Sequence, residues 1–391
     1  MTIISNDLDL VERARALTSL IEAEADRADQ NGTMTPAIVD ALWDAGMFSL
    51  LVPSELGGLE TDIVTSLAVF EELAYADGST GWTAMANATS SCFAAIYAGD
   101  DAVAEMFGTD VNGQPIRAIH AGMLGPMGEA TAVDGGYIAS GKYQFGSGSG
   151  HATWLGAGVM EMAGGEPAVT ALGLPAMRVM LMAPDQVEFQ GNWDVMGLSA
   201  TGSFDYVVDD VVVPDDFTFL LLEASALRGG PMFAIGLFAI TAAGHAGFAL
   251  GVGKRALHEV LALARTKQRL GGAPIAEQQL FLHDFAIHDA AMRSARAYTF
   301  ETFADAEATV MAGDAASIEQ QQRMRQSTTY ATRVAADAAR FAYTWAGSSG
   351  LRNPSIVQRC FRDIHAGTQH LYVDNNTLTG FTEAMLSNGT M

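Results

Sequence analysis

The stretch Phe361-Arg-Asp-Ile-His-Ala-Gly-Thr-Gln-His-Leu-Tyr-Val-Asp-Asn-Asn376 is where the reading of this chain starts. It lies near the end of a long run of helical sequence. It holds two of the chain's eight histidines, with an Arg-Asp pair in front of them. On one continuous helix, His365 and His370 stand about 140° apart around the axis. Two helical ligands to one metal need i, i+3 or i, i+4 spacing, so the pair does not read as a metal site. Asp363 and His370 are seven apart and share a face on the same reading. One imidazole with a pKa of about 6.5 then points into a pocket while the Arg-Asp pair anchors the helix. An interior histidine satisfied by its neighbours is the plain alternative.

Working outward, the whole chain has 391 residues, enough for two or three domains with large cores. Hydrophobic residues make up 49%, as in a globular protein. Forty-five acids against 21 bases give a formal charge of −24. That excludes the basic stripe a nucleic-acid partner requires and disfavours an anionic membrane surface. Lysine occurs only at Lys142, Lys254 and Lys267, so a bound phosphate must lean on arginine, helix N-termini or these three. Cys92 and Cys360 form no C-x-x-C motif, which suits a reducing cytoplasm. The N-terminus reads as an amphipathic helix and not as a leader. Between Arg228 and Lys254 no residue is formally charged, and Gly247-Phe-Ala-Leu-Gly251 is a G-x-x-x-G. Pro231, His245 and the many Gly and Ala residues make this a close-packed core helix and not a membrane span.

Three domains follow from the pattern: helices over 1–115, a central β domain over 116–222 and a helical bundle over 223–391. The class is α+β. Thr35-Pro36 caps and opens a helix to about Met47. Asp62 to Tyr75 is another helix, ended at Asp77-Gly78, and a further one starts within Ser79–Trp82. Asp134-Gly135-Gly136 turns between two strands; Trp154–Met160, Met177–Met182 and Phe204–Val213 are further strands. Regular short strands suggest a small barrel or sandwich. From Pro231 onward helices return, with segments 275–310, 315–347 and 354–386 forming an antiparallel bundle.

No G-x-G-x-x-G, Walker A loop, G-x-S-x-G elbow or H-E-x-x-H is present. Phe145-Gly-Ser-Gly-Ser-Gly150 closes one strand, and His151-Ala-Thr-Trp154 opens the next. Glycines there let a planar ligand approach the backbone, and Ser147 can offer a hydroxyl to a ring nitrogen. Asn192-Trp-Asp-Val-Met-Gly-Leu-Ser-Ala-Thr-Gly-Ser203 likewise sets a large aromatic, Trp193, before small polar residues. Taken singly, each of these loops reads as a plain turn or as packing.

Taken together, the order of domains and the segments Leu51-Val-Pro-Ser-Glu-Leu-Gly-Gly58, Trp193-Asp-Val-Met-Gly197, Val211-Val-Val-Pro214, Arg255-Ala-Leu and Arg362-Asp363 resemble the acyl-CoA dehydrogenase superfamily along essentially the whole chain. The dehydrogenase signatures are replaced, however. His120-Ala-Gly-Met-Leu-Gly-Pro126 stands where the family has Thr-Glu-Pro. Gln369-His-Leu-Tyr372 stands where many dehydrogenases carry the Tyr-Glu-Gly base. The chain is instead similar to the two-component flavin-dependent monooxygenases of this fold, such as the oxygenase component of 4-hydroxyphenylacetate hydroxylase and dibenzothiophene monooxygenase. An acyl-CoA dehydrogenase, or another oxidoreductase that keeps FAD bound, is the alternative.

The resemblance implies that a separate reductase supplies reduced flavin, which reacts with O2 to give a C4a-hydroperoxide that hydroxylates a small aromatic substrate. It matches Ser147-Gly148 to the Ser-Gly loop at flavin N5 and His370 to a late catalytic histidine. It puts His120 on the barrel edge, where one relative carries a second active-site histidine. Phe145 and Trp193 would flank the flavin. Arg265 and Lys267 would hold its phosphate, in relatives from a neighbouring subunit, with Gly347, Ser348 and Ser349 beside it. Asn87 falls on the helix that lines the substrate cavity. A cytoplasmic homotetramer is implied. Ser199 replaces an Arg common in relatives, and Ser348-Ser349 replaces a Gly-Gly, so FMN and FAD both remain open.

Overall fold

The computed structural model describes residues 9–268 and 272–388. Six helices come first: α1 (Leu10–Ala16), α2 (Thr18–Asn31), α3 (Pro36–Asp44), α4 (Ile63–Ala76), α5 (Gly78–Tyr97) and α6 (Asp100–Phe107). Their ends follow the capping signals in the sequence. Thr35 caps α3 with Pro36 in its first turn, and the Asp62 carboxylate takes the Thr65 N–H at 2.7 Å at the start of α4. Asp77 both ends α4 and caps α5 through the Thr80 N–H at 2.9 Å, so α5 begins at Gly78, ahead of the expected Ser79–Trp82 start. Position 78 tolerates only glycine: a Cβ there would lie 2.7 Å from the Asp363 Oδ2.

The central strands are β1 (His120–Val133), β2 (Gly136–Gly146), β3 (Trp154–Ala163), β4 (Glu166–Pro167), β5 (Met177–Met182), β6 (Glu188–Phe189), β7 (Phe204–Pro214) and β8 (Thr218–Leu220). They form one mixed sheet in the order β6-β7-β2-β1-β3-β5-β8, with β4 on β3. The Asp134-Gly135-Gly136 turn makes the β1–β2 hairpin. β3 then returns parallel to β1, because the 147–153 loop carries the chain back across the start of β1. The expected central β domain is present; alternation in a sequence cannot show which of its strands pair. Tyr143, Tyr206, Val159, Met180 and Met182 make a second core against this sheet.

The remaining helices are α7 (Leu237–Ala264), α8 (Gln279–Met311), α9 (Ile318–Ala346), α10 (Ile356–Gly367) and α11 (Asn376–Asn388). The uncharged segment is α7, which is buried over most of its length. No described helix is long and apolar enough to cross a membrane. The G-x-x-x-G faces α4: a Cβ on Gly251 would meet the Glu71 carbonyl oxygen at 2.3 Å. The expected helix over 354–386 is broken. α10 stops at Gly367, which lies so close to Phe248 and Trp82 that a Cβ would come within 2.5 Å of the Phe248 ring. A turn of 3-10 helix, Leu371–Val373, follows with His370 as its N-cap. His365 and His370 therefore do not share a helix, and the 140° relation and the shared Asp363–His370 face do not apply.

Candidate active site

The break after Gly367 turns the His370 ring inward, onto a cluster of rings from three elements. Its centroid lies 4.3 Å from His245 of α7 and 5.6 Å from Trp82 of α5. Trp82 stands edge-on to His245 at 5.0 Å and to Phe248 at 4.9 Å. Tyr372 stacks on His245 at 5.5 Å and ties its hydroxyl to the Phe238 carbonyl at 2.9 Å. Burial drives the His370 pKa down to about 4. It drives His245, which also faces His370, well below the ordinary value. Both rings are neutral at neutral pH. The Tyr372 backbone N–H donates to His370 Nδ1 at 3.2 Å, so the neutral ring carries its proton on Nε2. His245 is 3% exposed and has no hydrogen-bond partner among the described residues. The sequence reading passed over His245, although one polar residue inside an uncharged helix was the available signal. His365 turns away and gives its Nδ1 proton to the Phe361 carbonyl at 2.7 Å.

Ser147 meets this cluster from the sheet side. The Trp82 indole N–H donates to its hydroxyl at 3.0 Å. Ser147 pairs with the Ser203 hydroxyl at 2.9 Å, Ser203 with Thr201 at 2.7 Å, and Thr201 with the Leu198 carbonyl at 2.8 Å. An indole only donates and a carbonyl only accepts, so the chain has one direction. Thr201 donates to Leu198, Ser203 to Thr201, and Ser147 to Ser203. Ser147 thus spends its proton on Ser203 and presents a free lone pair to a ligand.

The loop holding these hydroxyls is pinned by the Arg-Asp pair. The Asp363 carboxylate accepts the Leu198 N–H at 2.7 Å, and Arg362 donates to the Met196 carbonyl at 2.9 Å. Leu198 has φ 58, a left-handed conformation that a Leu adopts only under such constraint. Burial and the nearby Asp77 raise the Asp363 pKa to about 7. Trp193 fixes its indole on the Leu198 carbonyl at 3.1 Å and meets Phe145 edge-on at 6.3 Å. Phe145 is 57% exposed at φ 63, so a large ring surface is held open on the rim.

Other expected residues fall elsewhere. His120 is closed in a slot between Phe107 at 5.2 Å and Trp154 at 6.4 Å, with its nitrogens on Ser91 and Met106, and burial takes its pKa to about 3. It has no ring contact with the His370 cluster. Asn87 is a brace: its amide donates to the His120 carbonyl at 2.7 Å and its oxygen meets His151 at 3.0 Å. It also packs on Gly148, where φ is 79 and a Cβ would lie 2.4 Å from it. Lys267, Ser349 and the Gly347–Gly350 turn come together, with Lys267 on the Ala346 carbonyl and 2.7 Å from the Ser349 hydroxyl. Gly347 and Ser348 are exposed beside them, and Arg265 is exposed at the end of α7. A cavity of about 460 Å³ opens beside the first turns of α10, lined by Asp77, Arg255, Ser349, Arg359 and Asp363. Its walls mix ion-paired side chains such as Arg255 and Arg359 with Ala25, Ala74, Leu263, Ile356 and Val357, and none of the rings of the His370 cluster lines it. The acceptor at Ser147, the open rings of Phe145 and Trp193, and the lysine-hydroxyl turn fit a flavin's ring edge, ring face and phosphate.

Comparison with known proteins agrees. Residues 8–110 match the acyl-CoA dehydrogenase N-terminal domain and residues 243–375 the acyl-CoA dehydrogenase C-terminal domain. An indole-3-acetate monooxygenase of Pseudomonas putida is 32% identical over 93% of this chain and 91% of its own. The oxygenase subunit of a flavin-dependent monooxygenase of Rhodococcus jostii is 26% identical over 92% of this chain and 93% of its own. The crystal structure of 3-HSA hydroxylase from a Rhodococcus species superposes with a TM-score of 0.88 at 24% identity, covering 99% of this chain and 98% of that one. A dehydrogenase of this fold needs a carboxylate at the ring cluster, and neither α7 over 237–253 nor residues 369–372 supply one; the chain belongs to the flavin-dependent monooxygenases of the acyl-CoA dehydrogenase superfamily.

Proposed function

We propose that this protein is the oxygenase component of a two-component system that hydroxylates a small electron-rich aromatic, an indole or a phenol, using O2 and flavin reduced by a separate reductase. The observation that carries this reading is the pairing of a directed acceptor, Ser147, with a neutral imidazole donor, His370, inside a dry aromatic cluster. Bound reduced flavin supplies the two electrons that let one oxygen atom enter the ring while the other leaves as water. Ser147 holds a ring N–H through its lone pair. Trp82, Phe248 and His245 exclude water, which favours oxygen transfer over peroxide loss. His370 acts as a hydrogen-bond donor from Nε2, steadying an oxygen on the substrate, and not as the base the resemblance implies. His245, buried against His370 and Tyr372, stays neutral and walls the site. Lys267, Ser349 and Arg265 are proposed to hold the flavin phosphate, with Arg265 reaching a neighbour's cofactor in a homotetramer.

The test is turnover under ¹⁸O2 with chemically reduced FMN or FAD and a panel of indoles and phenols. One labelled oxygen in the product is expected. Desaturation of an acyl-CoA without O2 consumption would overturn the reading.

A further inference from the structure

At the edge of the ring cluster, against Tyr372, stands Arg325 of α9. Its guanidinium lies 5.5 Å from the Tyr372 ring centroid and 5.9 Å from that of Phe238. Its Nε is buried without a hydrogen-bond partner, while the residue as a whole is half-buried. Most described arginines in this acidic chain sit on a carboxylate, as Arg178 does on Glu161, Arg296 on Glu71 and Arg359 on Asp26. Arg325 makes no ion pair among the described residues. Asp374, two residues after Tyr372, is turned into its own loop, taking two bonds from Asn376 at 2.8 and 3.1 Å. Packing against two aromatic faces fixes a guanidinium in place without neutralising it.

The same Tyr372 ring lies 5.5 Å from His245 and 6.2 Å from His370. A single aromatic side chain therefore touches both the proposed oxidation site and a cation with no ion pair among the described residues. The rim here is open: Phe238 is 47% exposed and Leu371 77% exposed. A guanidinium edge of two N–H groups matches a carboxylate in fork geometry.

We propose that Arg325 anchors a carboxylate on the substrate. The preferred ligand class is then an aromatic acid whose ring lies against Trp82, His245 and His370. The proposal rests on the reading of that cluster as the oxidation site, but it concerns binding and is tested without turnover.

The experiment is calorimetric titration of the full-length protein with indole-3-acetate and with 3-methylindole, its neutral counterpart. The wild type is expected to favour the acid by roughly 10- to 100-fold, as a charge-assisted pair provides. Arg325→Gln should abolish that preference and leave 3-methylindole binding unchanged. Arg325→Lys, which keeps the charge but loses the fork, should fall between. Equal affinities in the wild type would overturn the proposal, as would equal losses for both ligands in Arg325→Gln. A change of assembly in Arg325→Gln by light scattering would also overturn it, since the arginine would then serve an interface. Turnover separates the two readings. If 3-methylindole is oxidised but the acid is not preferred, only the Arg325 proposal falls. If the acid binds through Arg325 but no aromatic is oxidised, only the functional reading falls.

Discussion

Ser147 accepts a hydrogen bond from Trp82 and donates one to Ser203, so its effect on a ligand is that of an acceptor. A reduced flavin, whose N5 carries hydrogen, suits such a group, and oxidised flavin does not. Ser147→Ala is expected to leave flavin binding largely intact while raising hydrogen peroxide released per product by roughly 5- to 100-fold, the worth of one hydrogen bond to a reactive group. Ser203→Ala frees the Ser147 proton and should narrow the affinity gap between reduced and oxidised flavin, measured by fluorescence titration. At His370, removal of the ring to Ala should slow oxygen transfer about 10²- to 10³-fold in single-turnover experiments, the cost of losing one preorganised hydrogen-bond donor. His365→Ala should leave that step unchanged, because His365 bonds only within its own helix. Ser147 and His370 were legible in the sequence through a motif and a resemblance. The direction of the hydroxyl chain and the tautomer of His370 were not, since both depend on partners far away in the chain. His245 and Trp82 escaped for a related reason: an isolated aromatic or histidine on an apolar helix reads as packing until the fold shows what it faces.

Among the elements, α10 and the 193–203 loop act as a unit through Asp363. Its folded pKa of about 7 stands above the ordinary carboxylate value, chiefly from burial, with Asp77 adding repulsion. The folded state therefore holds this proton more tightly than the unfolded chain, and its contribution to stability falls as pH rises from about 4 to about 7. Asp363→Asn keeps an acceptor for the Leu198 N–H and removes the titration. The variant should lose that decline, seen as a flatter plot of melting temperature against pH across the window. The Arg-Asp motif was visible in the sequence, but its target was 165 positions away. Helix ends were legible because Thr35, Asp62 and Asp77 cap them through local bonds. The α10 break was not, because Gly367 ends the helix by close approach to Trp82 and Phe248. Gly251→Val on α7 should destabilise by about 1–3 kcal/mol or more, since a side chain there collides with α4 backbone; chemical denaturation would measure it.

At the scale of the whole molecule, the order of helices, sheet and bundle could be read from periodicity, while strand pairing could not. Burial also gives the fold a common acid response. His120 at about 3, His151 at about 4 and His370 at about 4 are held neutral chiefly by desolvation, and His245 lies well below its ordinary value. Unfolding at pH 5 lets each take up a proton, so stability should fall as pH drops from about 6.5 toward 4. The slope is on the order of 1.4 kcal/mol per pH unit for each ring. Denaturant titrations at several pH values would show it. The placing of α7 between α4 and α9, with glycine pressed onto a neighbour's backbone, has a kinetic meaning as well. Its amides should open only with the whole molecule, so in deuterium-labelling experiments they should be among the last to exchange. The turn from Thr368 to Asn376, short and partly exposed, should exchange many times faster. His245 would then be the fixed wall of the site and His370 the wall that opens, and ligand would enter from the side of the last two helices.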